Sequence, residues 1–100
     1  MLCSVLVRRL RPGRTYEEFR EAWKPDTGFG VPVRVVNARS LDDPSEIISI
    51  GFVDAPAADL PALLKRAAES EARRHERIGH IIEATTHRGM YEILDDDDLS

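Results

Sequence analysis

Three histidines, twelve arginines and one cysteine hold most of the chemistry that this 100-residue chain could perform. His75 is the sharpest candidate. It recurs with Leu60, Leu63, Leu64, Ala67, Ala68, Glu71, Ala72 and Ile78 at three- and four-residue steps, so it belongs to the inner stripe of a helix. Desolvation there lowers an imidazole's pKa and keeps it neutral near pH 7, as a general base requires. A half-buried histidine bonded to a backbone carbonyl is the other role open to it. Arg34 and Asn37 are three apart in an extended stretch, so they fall on opposite faces and one of them points inward. Either could steady an anionic substrate or a developing oxyanion; Arg34 could equally be an edge charge that deters strand pairing. Tyr16, Phe19 and Trp23 form an aromatic stripe at i, i+3 and i+7, suited to wall a pocket for a flat apolar ligand or to serve as core. Phe29 lies in the loop AWKPDTGFGVP, residues 22–32, and can fold over the gap that this stripe leaves.

Other chemistry is excluded by spacing. His80 follows His75 by five residues and past a glycine, so the i, i+4 pair of a helical metal site is missing; His87 stands apart, and no metal is expected. Cys3 is alone, which rules out an intrachain disulfide and suggests an inert buried thiol. Gly28-Phe29-Gly30 follows a helix instead of opening one, so it cannot cradle a phosphate at a helix N-terminus; Gly28 reads as a left-handed turn residue. No G-x-S-x-G occurs, and Asp95 to Asp98 lacks the glycine and distal glutamate of a calcium loop. The net charge of −4 and the absence of a basic face argue against nucleic acid. The apolar start MLCSVLV is too short for a membrane span or a signal segment, and a cytoplasmic protein without membrane attachment is expected.

The elements that must position these residues follow from the pattern. Leu2 to Leu10 is apolar on both alternating sets, as a strand covered on both faces would be. Thr15-Tyr16-Glu17-Glu18 is a capping box, so a helix begins there and runs until Pro25 ends it. Val31 to Ser40 is a polar-interrupted edge strand, and Glu46 to Val53 is a second strand apolar on both faces. A long helix spans about Asp59 to Ile78 with Gly79 at its C-cap. A last edge strand lies within Ile81 to Leu94, with Gly89 as a bulge. The result is a single β-α-β-β-α-β domain, the ferredoxin-like arrangement, with a four-stranded antiparallel sheet in the order 4-1-3-2 and two helices on one face.

Two helices cover one sheet face, yet strands 1 and 3 carry large apolar residues on both. Leaving the second face wet would forgo about 1.5 to 3 kcal/mol for each large side chain, so a second copy packed sheet to sheet is the simplest cover. In this element order, these two-faced strands and the RPGRTYEEFREAW opening of helix 1, the chain resembles the dimeric α+β barrel superfamily, which includes the antibiotic-biosynthesis-monooxygenase-like proteins. The resemblance implies a homodimer whose sheets join into a barrel and a pocket in each subunit between sheet and helices. It also implies chemistry of the cofactor-free oxygenase kind, with no cofactor, on an apolar or aromatic small molecule. The haem-degrading members place an Asn on strand 1 and a Trp after the central strands. Here Cys3 and Ser4 stand on strand 1 and Trp23 on helix 1, so only His75 matches them by element. A non-catalytic dimeric module that binds a small ligand or a protein partner fits the same residues.

Overall fold

The computed structural model describes residues 1–25 and 28–100; Asp26 and Thr27, in the middle of the AWKPDTGFGVP loop, lie outside the described residues. The elements are β1 (Leu2–Leu10), α1 (Tyr16–Trp23), β2 (Val33–Arg39), β3 (Glu46–Val53), a single 3-10 turn (Ala57–Asp59), α2 (Leu60–Ile78) and β4 (Ile82–Glu92). The four strands form one sheet in the order β2-β3-β1-β4, with every neighbouring pair antiparallel. This is the expected 4-1-3-2 order read from the other edge, with the two apolar strands in the middle.

Helix α1 starts where its capping box predicts. Thr15 Oγ1 accepts from the Glu18 amide at 3.2 Å, and Glu18 accepts in return from the Thr15 amide at 3.0 Å. The helix stops at Lys24, whose ψ of 127° is the extended conformation that a following proline imposes. β2 is shorter than the sequence suggests, beginning at Val33, because Pro32 cannot donate to the ladder.

Along β1, residues 2, 4, 6, 8 and 10 face the helices and residues 3, 5 and 7 face away. Leu10 joins Phe19, Ile47, Ile78 and Ile81 in the buried core, with Tyr16, Ala22, Trp23 and Ile82 packed against it. That core fills only one end of the space between helices and sheet. The opposite sheet face carries Cys3, Val5 and Val7 beside Phe52, Ile50 and Ile48, each paired with its partner across β1 and β3. Nothing in the subunit's helices covers that face.

Two glycine expectations change. Among the described residues of the loop before β2 the left-handed one is Gly30, at φ 78°, two positions beyond the expected Gly28. A Cβ at Gly30 would lie 2.2 Å from Arg66 Nη1, so the α2 guanidinium packs directly against this backbone. Gly89 is no bulge: it pairs in register with Val5, and the extra residues of β4 are Glu83 and Thr86. Gly89 is small for another reason. The Tyr91 side chain lies over it, with ring atoms 2.7 Å and the hydroxyl 2.5 Å from where a Cβ would stand, and the hydroxyl is 2.6 Å from His87 Nε2.

Phe19 is fully buried, so Phe19→Ala should cost about 3–5 kcal/mol in urea unfolding, against about 1 kcal/mol for removal of the cap in Thr15→Ala. Similar losses from the two variants would contradict the placement of the core.

Candidate functional site

The same alternation that builds the core at one end of the helix-sheet layer leaves a cavity at the other. Its volume is about 630 Å³. The floor is sheet: Ser4 and Leu6 of β1, Gly51 and Val53 of β3, and Val33 and Val35 of β2. Its roof is the N-terminal half of α2, through Leu60, Leu63, Leu64, Ala67 and Ala68, and Phe29 and Val31 close one side from the loop. Gly51 keeps the floor low, since a Cβ there would stand 2.6 Å from Ser4 Oγ. Leu64 and Met90 line the cavity while remaining 56% and 39% exposed, which marks its open side.

Between the cavity and the core stands a polar layer contributed by all four strands and α2. β1 supplies Arg8, β3 Ser49, β2 Asn37, β4 Arg88, and α2 Glu71, Arg74 and His75. Arg8 is 1% exposed. Its guanidinium lies 5.7 Å from the Phe19 ring centroid, and Nη1 donates to Ser49 Oγ at 3.4 Å. Ser49 in turn donates to Asn37 Oδ1 at 2.6 Å. Arg74 is 7% exposed, donates from Nη2 to both carboxylate oxygens of Glu71, and lies 5.5 Å from the Trp23 centroid. Arg8 Nη2 and Arg74 Nε are buried without a hydrogen-bond partner among the described residues.

Burial is the largest influence on the Arg8 guanidinium, and repulsion from Arg74 and Arg88 adds to it, lowering its pKa from the ordinary arginine range to about 10. It therefore stays charged at neutral pH. His75 is also lowered from its ordinary value of 6.5, first by desolvation and then by the charge of Arg88. Arg74 and Arg8 push in the same direction and Glu71 opposes them. The His75 Nε2 lies 3.6 Å from Glu71 Oε2, too far for a hydrogen bond. A neutral imidazole beside a set of fixed cations can accept a proton from a bound ligand and leave the resulting anion in a favourable field.

The sequence-derived candidates divide. His75, Trp23 and Phe29 meet on the cavity wall. Asn37 faces inward but reaches the cavity only through Ser49. Arg34 is on the opposite sheet face, 5.7 Å from the Phe52 centroid, and is not brought near His75. Tyr16 and Phe19 pack in or on the core and do not line the cavity. Sequence reasoning missed Arg8, Arg74 and Arg88. Position was the available signal for the first two: Arg8 alternates with Leu6 and Leu10, and Arg74 is three residues from Glu71 and four from Ile78.

No family model matches the chain, and no curated protein matches it in sequence. Two solved structures share its fold, both named "putative antibiotic biosynthesis monooxygenase". The protein from Chloroflexus aurantiacus J-10-fl is 15% identical over 99% of this chain and 98% of its own, with a TM-score of 0.66. The protein from Nitrosomonas europaea is 15% identical over 95% of this chain and all of its own, with a TM-score of 0.59. The chain thus has the ferredoxin-like fold of antibiotic-biosynthesis-monooxygenase-like structures. Among the described residues no helix is long and apolar enough to cross a membrane.

Two outcomes test this geometry. In an NMR titration His75 should protonate below 6.5. Between that lowered value and 6.5 the unfolded chain binds the proton and the folded chain does not. His75 therefore supports the fold fully above 6.5, and that contribution is lost as pH falls toward the folded value. A midpoint at or above 6.5 would contradict the desolvated placement. Separately, Gly51→Val should raise the cavity floor and weaken binding of naphthalene by about tenfold, from overpacking of about 1–3 kcal/mol; unchanged affinity would place the binding elsewhere.

Proposed function

We propose that this protein is a small cofactor-free enzyme of the monooxygenase kind, acting on an apolar or aromatic molecule held in the cavity between helices and sheet. The observation that carries the reading is the apolar cavity of about 630 Å³ with an imidazole kept neutral on its wall beside fixed cations. The names of the two structural neighbours favour the same class. His75 acts as the base, removing a proton from a carbon made acidic by an adjoining carbonyl. The positive field of the arginines on this wall favours the enolate, the cavity-lining Ser49, backed by Asn37, stands on the same wall, and Trp23 and Phe29 hold the ring system. Dioxygen then reacts with the electron-rich carbon. A CH2 and O2 become C=O and H2O, so one oxygen atom enters the product, the other leaves as water, and the substrate supplies the electrons.

The working unit in this reading is a homodimer joined through the uncovered sheet face. Val5 and Ile50 sit opposite each other near the centre of that face, flanked by Cys3, Val7, Ile48 and Phe52. These are aliphatic and aromatic groups at the spacing of a sheet-to-sheet interface. Ile50→Asp should convert a dimer to a monomer by sedimentation at micromolar concentration. A folded wild-type monomer under the same conditions would overturn the assembly.

Anthrone, a planar tricycle whose CH2 is acidified by its carbonyl, tests the chemistry. With chelator present and no added flavin or metal, the protein should consume oxygen and form anthraquinone faster than the uncatalysed background. His75→Gln should lower the rate about a hundredfold or more, and the wild-type rate should rise with pH with a midpoint below 6.5. Binding without turnover would overturn the enzyme reading in favour of a ligand-binding module.

A further inference from the structure

We propose that the polar wall of the cavity is a carboxylate subsite, so that the natural ligand is an apolar or aromatic acid whose carboxylate rests on Arg74 and Arg88 with Arg8 beneath. The inference rests on the cavity being a small-molecule site. It names the chemical class of what enters.

Charge balance and unmet donors carry it together. Three guanidiniums, Arg8, Arg74 and Arg88, act on this wall against the single carboxylate of Glu71. Two of them are more than nine-tenths buried, at 1% and 7% exposure. Glu71 is fully engaged with Arg74 Nη2, which leaves Arg74 Nε, on a residue that lines the cavity, as a buried donor without a partner among the described residues. Arg8 Nη2 is in the same condition, one hydrogen bond behind the cavity-lining Ser49. A buried charged donor left unmet is costly, and a guanidinium is matched in shape and charge by a two-oxygen anion. Arg8 lies 5.7 Å from the Phe19 ring centroid and Arg74 5.5 Å from that of Trp23, cation–π contacts that help hold both groups before any ligand arrives. These contacts leave the excess charge unanswered. The rest of the wall is aliphatic and aromatic, which fits a ligand with one charged end.

The test compares 2-naphthoate with 2-naphthamide, which share a shape and differ in charge, by calorimetry and by the Trp23 indole NMR signal. In the wild type the carboxylate should bind at least tenfold more tightly than the amide. Arg74→Gln should abolish the preference, read as the ratio of the two affinities in the same variant. Arg88→Gln, at an exposed strand position, should reduce the preference without any risk to the core. Equal affinity for both probes would overturn the inference and leave the cavity reading intact. A preference that survives both substitutions would overturn the assignment to these arginines. Failure of both probes to bind at millimolar concentration would overturn the inference and the cavity reading together.

Discussion

The burial of one arginine organises this molecule. Arg8 occupies an inward position of a central strand, where its neighbours two residues on either side are leucines, and its charge is held there by the face of Phe19 and the hydroxyl of Ser49. A cation in that place cannot be packed as oil. It demands polar company, and β3, β2, β4 and α2 each provide some at the same level of the layer. Everything on one side of that level is close-packed core; everything on the other is cavity.

This division is visible along each element in turn. On β3 the inward residues run Ile47 in the core, Ser49 at the boundary, then Gly51 and Val53 on the cavity floor. On α2 they run Ile78, then His75, Arg74 and Glu71, then the alanines and leucines of the roof. Aromatic rings on α1 are each faced by a guanidinium: Arg39 at Tyr16, Arg8 at Phe19, and both Arg20 and Arg74 at Trp23. The preponderance of arginine over lysine has a physical basis in these contacts, because a planar, weakly hydrated cation stacks where an ammonium would not.

Periodicity made the fold legible. Alternation in β1 and β3, the capping box at Thr15 and the stripe of α2 identify the elements and their order, and the sheet pairing follows from which strands are apolar on both sides. The inward direction of His75 and the rim position of Phe29 were legible for the same reason. What the pattern hid were the arginines at stripe positions, because an inner stripe is traced through apolar residues and passes over Arg8 and Arg74 although their spacing placed them inside. Arg34 misled in the opposite way, since only the register of β2 against β3 decides which of its faces looks inward. The space at Gly51 and the ring over Gly89 depend on tertiary neighbours, and no local signal encodes them.

A separation between the packed end and the hollow end has an evolutionary consequence. Stability in a domain of this size comes mainly from the close-packed end, so residues of the roof and floor can be exchanged with little penalty to folding as long as the polar layer stands. Chains of this fold can therefore differ in the ligand they accept while keeping their backbone, and the two solved structures share that backbone over nearly the whole chain at only 15% identity.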